Sequence, residues 1–172
     1  MDKDIHILIT RFTNLTFKEN KDYREKKNII CIYGSPIKIS EKILPDALII
    51  IFEMNNTLNI IEGIGIIKNN YVKNERRHKI YSDNNYNRFI YKSNLRIDKK
   101  SFTDYEKVYI KKLEELLFYT RGHSKRGHGI QNLSLNVKKS DLNLNKLIEI
   151  FYLSRFVNIK KYKKIRILKS EY

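Results

Sequence analysis

Two neighbouring apolar runs constrain this chain more than anything else in it. Ala47-Leu-Ile-Ile-Ile-Phe52, introduced by Pro45-Asp46, is the longest greasy stretch, and Ile60-Ile-Glu-Gly-Ile-Gly-Ile-Ile67 follows it after Asn55-Asn56-Thr57. Both have strand length and β-branched side chains, and Asn tolerates the left-handed backbone of a tight turn. Together they predict a central hairpin. Gly63 and Gly65 alternate onto one face of the return strand, which implies a close backbone approach or a bulge there. Neither run is long enough to cross a bilayer.

The other elements are placed around that hairpin. Ile5-His-Ile-Leu-Ile9 reads as a buried opening strand. Thr16-Phe-Lys-Glu19 has capping-box spacing and predicts a polar surface helix to about Lys27. Ile29 to Tyr33 is a second strand, broken by Gly34-Ser-Pro36, with Ile37 to Ile39 resuming it briefly. Residues 68 to 79 read as a loop. Short strands follow around Ile80-Tyr81 and Phe89 to Tyr91, separated by a turn at Asp83-Asn84-Asn85. Then the character changes. Thr103-Asp-Tyr-Glu106 is a capping box ahead of Tyr109, Leu113, Leu116 and Leu117 at helical spacing, and Ser140-Asp141 is placed to cap a helix carrying Leu144, Leu147, Ile148 and Phe151. Strands first and helices later predict an α+β fold: a curved, mostly antiparallel sheet or small pseudo-barrel with flanking helices and two C-terminal helices. The chain reads as one domain over 1–156, with a Lys-rich strand or tail over 157–172.

Charge narrows the function. The 172 residues hold 35 Lys and Arg against 19 acidic residues, a formal net charge of +16. Such a surplus attracts polyanions, and a phosphate backbone is the obvious one because its neutralisation releases condensed counterions. Heavy use of Ile, Lys and Asn also fits an AT-rich coding sequence, which lowers the weight of any single Lys. Cys31 is the lone cysteine, so no internal disulfide forms, and the acidic N-terminus lacks the apolar core of a signal peptide. The expectation is an intracellular protein that engages no membrane.

Three segments carry candidate chemistry. In Arg121-Gly122-His123-Ser124-Lys125-Arg126-Gly127-His128-Gly129, glycines interleave with cations, as in a loop that grips phosphate with backbone N–H groups and side chains. Tyr81 to Tyr91 interleaves aromatics with Asn and Arg. Tyr86, Asn87 and Arg88 there offer a ring to stack on a base, an amide to read its edge and a cation for phosphate. Tyr33-Gly34-Ser35-Pro36 and the Asn55-Asn56 tip are small turns able to line the same base pocket. No catalytic set is evident. Of His78, His123, His128 and Cys31, the His123-x4-His128 spacing lies in a Gly-rich loop and not on a helix that would aim both imidazoles together, and no paired cysteines support it, so neither metal nor cofactor is expected. Asp46 and Glu53 have the strand placement of a metal nuclease, but residue 55 is Asn where a Lys would be needed.

Two resemblances follow from these residues. Pro45-Asp46 to Phe52 with Ile61-Glu-Gly-Ile-Gly-Ile-Ile67 resembles the strand pair of the PUA-like folds, in particular the EVE, YTH and ASCH branches, over roughly residues 5–97. More closely, Cys31-Ile-Tyr-Gly-Ser-Pro36, Glu53-Met-Asn-Asn56, Glu62-Gly-Ile-Gly65, Tyr86-Asn-Arg88 and Arg121 to Gly127 resemble a family of uncharacterised proteins of large nucleocytoplasmic DNA viruses, up to about residue 156. The first resemblance implies a reader of one flipped or modified base. The chain has no Trp, so a methyl cage would be built from Tyr and Phe alone. The second implies the cytoplasm or nucleus of an infected cell, or the virion itself.

The reading reached from sequence is a non-catalytic nucleic-acid-binding module for RNA or DNA. Its rivals are a nuclease using His123 or His128 as general acid or base, and a basic genome-packaging protein.

Overall fold

The computed structural model describes residues 5–73 and 78–157, with nothing said of the Lys73 side chain. The expected basic segment over 157–172 lies, save Val157, outside the described residues. The fold is α+β, in three layers.

The central layer is a five-stranded mixed sheet in the order β7-β4-β3-β1-β8, where β1 is Ile5–Phe12, β3 Leu48–Asn55, β4 Ile60–Lys68, β7 Leu95–Asp98 and β8 Gln131–Asn132. β3 and β4 form the expected hairpin, with a register irregularity between Glu53 and Met54. β1 runs parallel to β3 and the remaining pairs are antiparallel. A smaller sheet, in the order β2-β6-β5, covers one face of the central layer: β2 is Cys31–Ser35, β5 Val72–Lys73 and β6 Phe89–Ser93. Helices cover the other face. The main ones are α2 (Asp104–Glu114), α3 (Leu135–Lys139) and α4 (Leu144–Ile148), with α2 and α4 each running on into a π-helical turn, Glu115–Tyr119 and Glu149–Leu153.

The alternation of side chains along β3 explains why that strand is apolar throughout. Ile50, Phe52 and Met54 point to the helices, into a core with Leu113, Leu117, Leu147 and Phe151. Ile49 and Ile51 point the other way, against Cys31, Ile32, Tyr33, Ile90 and Tyr91 of the small sheet. A strand covered on both faces needs no polar side.

Gly63 and Gly65 have their explanation between the sheets. Glu53 on β3 and Arg96 on β7 form a bidentate ion pair that reaches across β4, with Arg96 Nε donating to Oε1 at 2.8 Å and Nη2 to Oε2 at 2.6 Å. Tyr33 comes down from β2 and donates its hydroxyl to the same carboxylate at 2.6 Å. A Cβ on Gly65 would fall on the Tyr33 ring and hydroxyl, and one on Gly63 on Arg96 and Glu53. The close neighbours are these side chains and, at Gly63, the Ile97 carbonyl of β7 as well.

Helix α1 (Asn14–Lys27) lies beside the small sheet and starts earlier than its sequence implied. Its capping box joins Thr13 to Thr16, not Thr16 to Glu19, because the chain turns immediately after β1 ends at Phe12. The box at Thr103 and Glu106 forms as expected. For α4 the cap is Asn143; Ser140 instead hydrogen-bonds the Val137 carbonyl and closes α3. The expected strand at Ile80-Tyr81 is absent, since both N–H groups are taken by the Asn87 side chain. Among the described residues no helix is long and apolar enough to cross a membrane.

Candidate nucleic-acid interface

The parallel strands β1 and β3 end side by side, at Phe12 and Asn55. Beyond them the first turn of α1, the turn at Ser82-Asp83 and the Gly-rich loop after α2 enclose a cleft of about 250 Å³. It is lined by Thr10, Arg11, Phe12, Thr13, Thr16, Gly34, Asn56, Tyr81, Ser82, Asp83, Tyr86, Gly127 and Gly129. The three sequence segments singled out for binding therefore meet at one place.

Contacts of the backbone hold them there. Gly34 lies directly under the Tyr86 carbonyl, so that any side chain at 34 would strike the chain passing over it. Gly129 packs on Ser35 and Pro36 in the same way. Gly127, at φ 127°, sits on the Arg11 guanidinium, where a Cβ would stand 3.1 Å from its central carbon. The Tyr86 hydroxyl and His128 Nδ1, 3.1 Å apart, bridge the mouth from the small sheet to the loop.

The loop itself is pinned. Ser124 N–H donates to the Leu117 carbonyl at 2.7 Å, in the π-helical turn. Arg11 Nε donates to the Ser124 carbonyl at 2.5 Å, and Asn56 Nδ2 to the Lys125 carbonyl at 2.9 Å. These bonds leave Arg121, Gly122, His123, Arg126, Gly127 and His128 exposed, Lys125 half-buried and Ser124 buried. His123 turns back on its own loop, its Nδ1 accepting the Lys125 N–H at 3.4 Å. The backbone N–H groups of Arg126, Gly127 and His128 take no partner among the described residues.

Arg11 is the residue that sequence reasoning missed. Its second bond, from Nη1 to Gln131 Oε1 at 3.1 Å, is also to a neutral group, and it has no carboxylate partner among the described residues. Burial pulls its pKa below the ordinary value, while neighbouring Tyr86 acts in the opposite sense. The available signal was the single Arg in a mostly apolar strand, Ile5–Phe12. Thr10 went unnoticed too. It is 5% exposed and lines the cleft, and its hydroxyl makes no hydrogen bond among the described residues.

Several expected pocket residues are occupied elsewhere. Tyr33 is 1% exposed and committed to Glu53, with burial first among the causes that hold its hydroxyl far above the usual tyrosine range. Asn55 is buried and donates to Glu62 and Asn14, while its oxygen caps the N–H groups of Thr57 and Leu58. Asn87 is buried, holding Ile80 and Tyr81. Ser35 is buried and donates to the Ile37 carbonyl. Pro36 is half-buried against Gly129, and Arg88 is exposed, its guanidinium over the Phe89 ring. Of the base-pocket set, Gly34, Asn56 and Tyr86 line the cleft.

The aromatic wall is Tyr86 edge-on to Tyr81, ring centroids 6.4 Å apart, with Phe12 behind Tyr81 at 6.5 Å. No group of three or more metal-ligating side chains occurs among the described residues. Burial pushes the Cys31 thiol up to about 11, so it is protonated at neutral pH and a poor ligand. No family model, curated protein or solved structure matches the chain.

Proposed function

We propose that this protein is a nucleic-acid-binding module which takes one nucleotide of an RNA or DNA strand into the cleft beside Tyr86. The observation that carries this reading is the convergence, in one 250 Å³ cleft, of a stacking ring and a cation whose bonded neighbours are neutral, beside a pinned glycine loop. A cavity of that size lies just below the range for drug-sized ligands and suits a single ring system. Tyr86 supplies a face for stacking, which accepts any base but with a strength that differs between them. Arg121, Lys125 and Arg126, of the same loop as the cleft residue Gly127, meet the adjoining phosphates. The PUA-like resemblance, a flipped base beside a curved sheet, agrees with this arrangement and makes a modified base one candidate ligand. The likeness to proteins of large DNA viruses supports, as part of this proposal, a working compartment in the cytoplasm or nucleus of an infected cell, or in the particle.

The test is binding of fluorescent single-stranded RNA and DNA at two or more salt concentrations. Binding that weakens steeply with salt is expected, and Tyr86→Ala should change the order of preference among bases. Arg126→Ala should weaken all sequences alike. Absence of binding to either nucleic acid at low ionic strength would refute the reading. The same incubations, with and without divalent metal, should leave the strands uncut; cleavage lost in His128→Ala would make the protein an enzyme instead.

A further inference from the structure

Resting on that reading, we infer that the nucleotide held in the cleft is a terminal one, and that the cleft grips its phosphomonoester group. Two independent observations point to an anion at the cleft floor. The first is Arg11, a half-buried cation whose bonded neighbours are a carbonyl and an amide oxygen, both neutral. The second is Thr10, which is 5% exposed, lines the same space and has a hydroxyl that makes no hydrogen bond among the described residues. Around them the positive end of α1, a 14-residue helix with no acidic residue in its first turn, opens at Thr13 and Thr16. The Gly127 N–H, without a partner among the described residues, lies on a third side. One carboxylate, Asp83, also lines the cleft; it caps the following turn by accepting from Asn85 N–H at 3.0 Å.

The Arg11 and Thr10 side chains of β1, the Gly127 N–H of the loop and the positive end of α1, whose Thr13 and Thr16 N–H groups are already used by the capping box, surround a group on three sides. An internal phosphodiester offers two free oxygens and a single charge, and both of its ester bonds must leave the site. A phosphomonoester offers three free oxygens, carries nearly two charges at neutral pH and needs one exit. The second fits a floor with donors on two sides, the positive end of a helix on a third and one aromatic-walled mouth. The terminal base would then lie against Tyr86.

The experiment compares one single-stranded oligonucleotide bearing a 5′-phosphate, a 3′-phosphate or hydroxyls at both ends, with free nucleoside 5′- and 3′-monophosphates as competitors. At least tenfold tighter binding of one phosphorylated form is expected, with the matching mononucleotide competing and the plain nucleoside failing to. Thr10→Val, nearly isosteric, should shrink that tenfold gap several-fold without altering the melting temperature. Arg11→Ala should abolish the gap, and Thr10→Val serves where that variant does not fold. Equal binding of all three oligonucleotides, still sensitive to Tyr86→Ala, overturns the terminal-phosphate inference and leaves the binding function standing. Failure of all three to bind overturns both.

Discussion

Glu53 and Arg96 are both almost wholly buried, at 2% and 6% side-chain exposure, and each is affordable only because the other is there. Burial alone would lower the Arg96 pKa, but the hydrogen bonds and charge of Glu53 outweigh it and hold the guanidinium above its ordinary value. Removing one partner strands the other charge between the sheets. Glu53→Ala is expected to cost about 3–5 kcal/mol in urea denaturation. Gly65 belongs to the same unit, since the diagonal from Glu53 to Arg96 passes over β4 beside it and Tyr33 fills the space a Cβ would need. Gly65→Ala should therefore destabilise by about 1–3 kcal/mol, by overpacking. The pair Gly63 and Gly65 was legible as a demand for close approach. That the approaching groups were an ion pair from two other strands was not, because its members lie 43 residues apart.

At the scale of elements, periodicity identified what local chemistry decides and missed what tertiary contacts decide. The β3–β4 hairpin and the Thr103 box were readable because their hydrogen bonds join near neighbours. Ile80-Tyr81 looked like a strand, but a side chain seven residues on took its N–H groups. The cleft followed the same rule. Its glycine loop and Tyr86 stood out in sequence, whereas Arg11 and Thr10 became visible only when β1 was seen to end beside the loop. The end of the helical layer makes a prediction of its own. Arg155, just after the π-helical turn that extends α4, donates to both oxygens of Glu106 at the start of α2, at 2.7 and 2.5 Å. Burial tends to raise the Glu106 pKa, but the bonds from Arg155 and Thr103 prevail and lower it. A carboxylate lowered in the folded state stabilises above its unfolded pKa, near 4.3, and that contribution is lost as pH falls through the lower folded value. Melting temperature should thus hold from neutral pH to about 4 and drop below it, and Glu106→Gln should blunt the drop while lowering the plateau.

At the scale of the molecule, a charge of +16 has two physical readings that predict different things. If the surplus acts as a diffuse field, every lysine contributes about equally to holding a polyanion, wherever it stands. If binding is organised by the cleft, cations at its mouth form phosphate contacts and release counterions, and remote ones do not. The helix α1 separates the cases, because its N-terminus opens on the cleft while Lys26 and Lys27 stand in its last turn. Thirteen steps at 1.5 Å put those lysines about 20 Å further along the axis, beyond the roughly 8 Å screening length of physiological salt. The slope of log affinity against log salt for a single strand should become shallower by about 0.7 in Arg126→Ala, and by the same again with Lys125→Ala added. In Lys26→Ala/Lys27→Ala, which removes as much charge, it should stay at the wild-type value. A slope that fell equally in both double variants would show that net charge alone does the binding, and the cleft would then have no part in it.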